Sequence, residues 1–212
     1  MLLVLASTSP WRLGLLESVG FAPLSIDPNV DEAKIVDSKP IKTAKLRAEA
    51  KATSAFEQLK MGTLIEPAEA GVIVAADQVV YLGDVIFGKP QDRTVWFKRL
   101  KLLRGKEHGL TTAVNIVVFK EGKLTQRIAF EETTKIHVHP DLTDEELWSY
   151  VEDGEASSCA GGYMVERKGA WLISHMDGDY SNVIGLPIPS LLRRFRELGL
   201  RPQWLADQIK TR

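Results

Sequence analysis

An apolar run, Leu2-Leu3-Val4-Leu5-Ala6, passes without a spacer into Ser7-Thr8-Ser9-Pro10-Trp11-Arg12. Five apolar residues in a row read as a buried strand, one that needs covering on both faces. The polar residues after it read as the start of a helix. Ser9 suits the N-cap, and Pro10 suits the first helical position, where a missing N–H costs nothing. Free N–H groups and the positive dipole end of such a helix attract an anion. Arg12 can fork onto two phosphate oxygens, and Trp11 offers a flat face to a purine base. A capped surface helix with an ordinary core tryptophan fits the same residues.

The pattern continues along the chain with no internal repeat and no low-complexity segment. Trp11 to Val19 reads as a helix closed by Gly20. Pro40 to Lys60 carries Ala44, Ala48, Ala52, Ala55, Phe56 and Leu59 at helical spacing. Met61 to Gly71 reads as a loop and an insertion point. Val72 to Ala76 is a second buried strand, whose end delivers Asp77 and Gln78 to the rim. Val79 to Ile86 reads as a hairpin turning near Gly83-Asp84, and Asp92 to Leu103 as a helix with Trp96, Leu100 and Leu103 inward. Leu110 to Phe119 and Arg127 to Val138 are long β segments. Thr143 and Glu146 form a capping box for a helix reaching about Val151. Short strands are expected near Gly162 to Val165 and Ala170 to Ser174, and a last helix from Pro189 to Leu198. Strands outnumber simple βαβ alternations, so an α/β fold with a mixed β-sheet flanked by helices is expected.

With 27 basic and 28 acidic residues in 212, the near-neutral balance gives no track for a nucleic-acid polymer. A small phosphorylated ligand needs only a local basic cluster. The single cysteine, Cys159, fits a reducing compartment and reads as a small buried residue rather than a nucleophile. The N-terminal apolar run is too short for a signal peptide, and no stretch reaches the roughly 20 residues of a membrane span. A soluble, cytoplasmic protein is expected, without a membrane or nucleic-acid partner.

Candidate chemistry gathers where elements end. Asp77, at the mouth of a buried strand, can hold a divalent cation or orient a water; a turn-forming aspartate is the plainer reading. Glu32, beside Asp31, can supply a second oxygen. Lys51 lies beside the Ala48/Ala52 stripe, near the boundary of core and solvent, and Lys89 sits between Gly88 and Pro90. Either lysine can present a point charge to phosphate or merely solvate the surface. His108 lacks a partner at metal-ligand spacing and reads as structural. No zinc motif, Walker loop or dinucleotide glycine fingerprint is present. If they converge, Arg12, Lys51 and Lys89 could neutralise a polyphosphate while Glu32 and Asp77 fix Mg²⁺, which is what breaking a phosphoanhydride requires.

The order of motifs over nearly the whole chain resembles the Maf family of nucleoside triphosphate pyrophosphatases. The matching pieces are Leu5 to Arg12, Asp31-Glu32, Ala48 to Ala52, Ala75 to Val80, Gly88-Lys89-Pro90, Gly105 to His108, Cys159 to Tyr163 and Asn182 to Pro187. The resemblance implies one domain over 1–212, with two lobes around a cleft, like the inosine triphosphate pyrophosphatases. It implies Mg²⁺-dependent (or Mn²⁺-dependent) cleavage between the α and β phosphates, and a homodimer. By position, Ser7, Ser9, Arg12, Lys51 and Lys89 look like phosphate contacts, Asp77 like the central acid, and Glu32 like its metal-side partner.

Trp11, Gln78 and Glu166 depart from the commonest pattern of Arg, Thr and Gln, and are similar to the subfamily acting on 7-methyl-GTP. Physical chemistry points the same way. N7-methylated guanine is cationic and is drawn to an indole face, and an ionised Glu166 accepts from N1–H and the exocyclic amine of guanine. Uracil and thymine would turn carbonyls toward that carboxylate, leaving groups unpaired. 7-Methyl-GTP is therefore the expected substrate, with dTTP, UTP or CTP as the alternative. A nucleotide-binding regulator of septum formation is a further alternative, disfavoured by the intact acid and lysines. An mRNA-cap binding module would not need the metal set.

Overall fold

Residues 1–62 and 69–205 are described by the structure, a computed structural model. The elements are β1 (Leu2–Ala6), α1 (Pro10–Ser18), β2 (Leu24–Ile26), α2 (Pro40–Lys60), β3 (Ala70–Leu82), β4 (Val85–Phe87), α3 (Arg93–Leu103), β5 (Glu107–Lys120), β6 (Lys123–Val138), α4 (Asp144–Asp153), β7 (Ile173–Asp177), α5 (Tyr180–Ile184) and α6 (Ile188–Glu197). Short 3₁₀ turns lie at Glu32–Lys34 and Lys168–Leu172. One seven-stranded sheet runs β2-β1-β3-β5-β6-β7, with β4 beside β3. β1 is parallel to β2 and β3, and the other pairings are antiparallel. The fold is thus α/β, a mixed sheet flanked by helices.

Alternation along the strands decides which helix each face meets. Leu3, Leu5, Val72 and Val74 pack with Leu16 of α1 and with Leu191 and Phe195 of α6. Val4, Ala6, Ile73 and Ala75 pack with Ala52, Ala55 and Phe56 of α2. The alanine stripe of α2 keeps that helix close to the sheet. Further along the sheet, Ile136 joins Trp96, Leu100, Leu103 and Leu147 of α3 and α4. The β5–β6 hairpin turns at Glu121-Gly122, both with positive φ (50° and 69°), the backbone a two-residue hairpin turn demands.

Several expectations need correction. The strand from Val72 does not stop at Ala76: β3 continues to Leu82 because β5 pairs with it from Ala70 to Tyr81 and β4 from Val80 to Leu82. Asp77 therefore lies inside a strand. No strand forms at Gly162 to Val165. Gly162 takes a positive φ of 73°, its carbonyl accepts from the Trp96 indole N–H at 2.6 Å, and the Met164 N–H donates to the Tyr150 hydroxyl. Side chains hold that backbone where a ladder would. The strand expected at Ala170 to Ser174 is instead a 3₁₀ turn followed by β7. Residues 63–68 of the expected loop lie outside the described residues.

His108, at the start of β5, is 2% exposed and shares a 2.6 Å hydrogen bond between Nε2 and the Tyr163 hydroxyl. Burial, aided by the neighbouring His137, pushes its pKa down to about 4 from the ordinary 6.5. The neutral ring is the form the fold prefers, so the unfolded chain protonates first as pH falls. Stability present above pH 6.5 is expected to be lost between there and about pH 4, by up to about 3 kcal/mol. Urea midpoints across that range should show it, and His108→Gln should flatten this part of the slope.

Candidate active site

The site begins with a notch in the sheet. β1 accompanies β3 as far as Ala6 opposite Ala75, and β4, which ends at Phe87, first meets β3 at Val80. Between them, at Ala76 to Val79, that side of β3 has no strand beside it among the described residues. The Ala76 carbonyl accepts there from Arg12 Nη1 at 2.8 Å and from Lys51 Nζ at 3.5 Å. Chain leaving β1 brings Ser7 to Arg12 to this place, and chain leaving β4 brings Lys89. A change of strand neighbour of this kind is where open α/β sheets assemble ligand sites.

The notch opens into a cavity of about 500 Å³, whose wall includes Ser7, Ser9, Trp11, Arg12 and Glu32. Lys51, Asp77, Gln78, Lys89 and Glu166 line the same cavity. All ten residues singled out from sequence are thus brought together, from six separate stretches of chain.

Strand alternation puts Asp77 on the α2 face and Gln78 on the opposite one. Asp77 is 3% exposed and Lys51 5%, so Lys51 belongs to the buried stripe rather than its boundary. Its Nζ lies 2.7 Å from Asp77 Oδ1 and 2.8 Å from Glu32 Oε1, tying both carboxylates to one cation. Burial raises the Asp77 pKa above its ordinary value, against the pull of Lys51, and Glu32 adds to the rise. Burial also raises Glu32, but the Lys51 hydrogen bond and charge, with Arg47 and Arg12, outweigh it and hold that carboxyl low. Two carboxylates on one lysine are thus driven apart, the usual mark of an acid–base site.

Asp77 Oδ2 is buried and has no hydrogen-bond partner; Arg47 Nη1 stands 4.0 Å away. Among the described residues no group of three or more His, Cys, Asp or Glu forms a metal cage. Mg²⁺, however, commonly takes one or two carboxylates and completes its shell with water and phosphate. The orphaned Oδ2 fits either such an ion entering with a nucleotide or the water that attacks it.

On the other face, Gln78 Nε2 donates to the Asn182 carbonyl at 2.7 Å and to Thr112 Oγ1 at 3.0 Å. Its amide N–H groups are therefore committed to α5 and β5. Arg12 is likewise partly committed, donating from Nε to the Gly185 carbonyl at 2.9 Å besides its bond to Ala76. Ser9 caps α1 and Pro10 opens it. Ser7 Oγ accepts from the Ser9 N–H, and Ser9 Oγ from the Arg12 N–H. The helix end thus keeps fewer free donors than its sequence suggests. Lys89 has no ion-pair partner among the described residues, which leaves its charge for a ligand. Cys159 is half-buried in the cavity wall, and burial, with Glu166, raises its thiol pKa.

Three features escaped the sequence reading. Asp27 also lines the cavity, so its wall carries four carboxylates (Asp27, Glu32, Asp77, Glu166) against three cations. Arg47, on α2 one turn before Lys51, anchors the Ile35 carbonyl at 2.9 Å; the Lys51 spacing on the same helix was a signal that could have found it. The third is Arg167, whose Cζ lies 5.1 Å from the centre of the Trp11 ring.

A family model described as "Maf-like protein" matches residues 2–198. A protein named dTTP/UTP pyrophosphatase from Carboxydothermus hydrogenoformans is 35% identical over 199 residues, covering 94% of this chain and 100% of its own. One of the same name from Aquifex aeolicus is 35% identical over 200 residues, covering 94% and 97%. A human protein named probable bifunctional dTTP/UTP pyrophosphatase/methyltransferase is 32% identical over 216 residues, covering 98% of this chain and 34% of its own. Among solved structures, the Staphylococcus aureus Ham1 protein is similar with a TM-score of 0.40 and 13% identity, over 66% of this chain and 73% of that one. On the match over residues 2–198 and on relatives covered nearly from end to end, this chain belongs to the Maf-like family.

Proposed function

We propose that this protein is a nucleoside triphosphate pyrophosphatase. It splits the bond between the α and β phosphates to give a nucleoside monophosphate and pyrophosphate. The observation that carries the reading is the buried Asp77–Lys51–Glu32 chain, with Asp77 Oδ2 unpartnered at the cavity wall. Water attacks the α phosphorus, the bond from that phosphorus to the bridging oxygen breaks, and pyrophosphate leaves. Asp77 orients the water and takes its proton, a task favoured by burial lifting its pKa above the ordinary aspartate value. Lys51 holds Asp77 Oδ1 so that Oδ2 faces the reaction, while Lys89 and the remaining N–H of Arg12 meet the phosphates.

Three cations against four carboxylates cannot neutralise a triphosphate, so a divalent cation is needed. With Asp77 acting on the water, Glu32 would hold Mg²⁺ together with phosphate oxygens and water, and the ion would supply positive charge to those oxygens when bound.

The names of the relatives support dTTP and UTP as substrates better than 7-methyl-GTP. A second reading keeps 7-methyl-GTP, on the observation that Trp11 and Glu166 line the same cavity. Pyrophosphate release from dTTP, UTP, CTP, GTP and 7-methyl-GTP, each with and without Mg²⁺, tests both. The expected result is Mg²⁺-dependent release that is fastest with dTTP or UTP and abolished by EDTA. Fastest release from 7-methyl-GTP would transfer the specificity to the second reading, and no release from any nucleotide would refute the enzyme.

A further inference from the structure

The Trp11 indole already carries a cation. Arg167 Cζ stands 5.1 Å from its centroid, although Arg167 is exposed and is not itself among the residues lining the cavity. Its backbone is held in place from several sides. The Arg167 N–H donates to the Met164 carbonyl at 3.2 Å. The Met164 N–H donates to the Tyr150 hydroxyl at 3.1 Å, and the Gly169 N–H to Glu155 at 2.9 Å. A Cβ at Gly169 would lie 2.6 Å from the Met164 backbone, so the turn closes as tightly as glycine allows. Arg167 is thus delivered to the indole by a fixed turn, one residue beyond Glu166.

We infer that Arg167 is a specificity-determining residue that selects against positively charged bases at Trp11; this rests on the nucleotide reading above. The attraction of a cation for an indole comes from the negative charge over its ring faces. A guanidinium engaged with the ring already draws on that charge. A cationic base stacked on the indole would also meet the like charge of Arg167 within about one Debye length. A neutral base meets neither penalty. The Trp11 and Glu166 pair, which by itself favours 7-methylguanine, is therefore countered by the residue that follows Glu166, consistent with the pyrimidine names of the relatives.

GTP and 7-methyl-GTP differ only in the methyl group and charge at N7, so their ratio of kcat/KM isolates the effect. The assay is run at mildly acidic pH, where the methylated ring keeps its positive charge. Arg167→Met, which keeps an apolar chain on the indole without the charge, should raise the 7-methyl-GTP to GTP ratio roughly 3- to 30-fold. Arg167→Lys, which keeps the charge, should leave the ratio near that of the wild type. An unchanged ratio in Arg167→Met overturns the inference, as does an equal rise for both purines relative to UTP, which would mark a steric role. Calorimetric binding of 7-methyl-GMP and GMP reads the same ratio without turnover. A protein that binds both but releases no pyrophosphate refutes the enzyme reading and still decides the inference; failure to bind either refutes both.

Discussion

Asp77→Asn is expected to lower kcat for pyrophosphate release by about 10²–10⁴-fold, the range for loss of a positioned general base. The change is nearly isosteric, and the 2.7 Å neighbour Lys51 keeps an oxygen to bond, so the fold should persist and nucleotide binding should weaken far less than turnover. The pH profile provides a sharper check. Burial lifts the Asp77 pKa above the usual aspartate value. The ionised form is the active one, so activity present above that pKa is lost as pH falls through it. The acid limb of kcat/KM should therefore lie above the ordinary aspartate range and vanish in the variant. Steady-state rates across pH measure both effects. A variant that keeps its biological effect while losing hydrolysis would favour the regulator over the enzyme.

Lys51→Met should damage stability as well as chemistry. It removes the cation that bonds both Asp77 and Glu32 directly, leaving the buried Asp77 with only Arg47 at 4.0 Å. Breaking a buried ion pair from one side costs about 3–5 kcal/mol. Urea unfolding should show a midpoint lowered accordingly, with activity lost even where the protein is folded. Adding Asp77→Asn to Lys51→Met removes the stranded charge, so the double variant is expected to regain part of that stability. If the second change further destabilises the first, the pair does not have the energetic role assigned here.

Much of this was legible from local pattern. β1, the long helix α2 and the capped α4 announce themselves by apolar runs, period and capping residues. The site residues each have a plainer reading alone, and became a set chiefly through the order of motifs that resembles the Maf family. What local pattern could not show was pairing. Asp77 looked like a strand end because the apolar run stops at Ala76, whereas β3 continues along β5. The strand expected at Gly162 to Val165 failed because the Trp96 indole and the Tyr150 hydroxyl, both distant in sequence, claim its backbone. Lys51 was legible as a candidate, but its burial follows from the alanine stripe drawing α2 onto the sheet. Arg167 was invisible because its contact with the Trp11 ring joins residues far apart in the chain.

The most direct trial of the account is hydrolysis in ¹⁸O-labelled water with Mg²⁺, with the label located in the products by mass spectrometry. Attack at the α phosphorus beside Asp77 puts the label in the nucleoside monophosphate and leaves pyrophosphate unlabelled. Label in free phosphate, or in pyrophosphate alone, would contradict it.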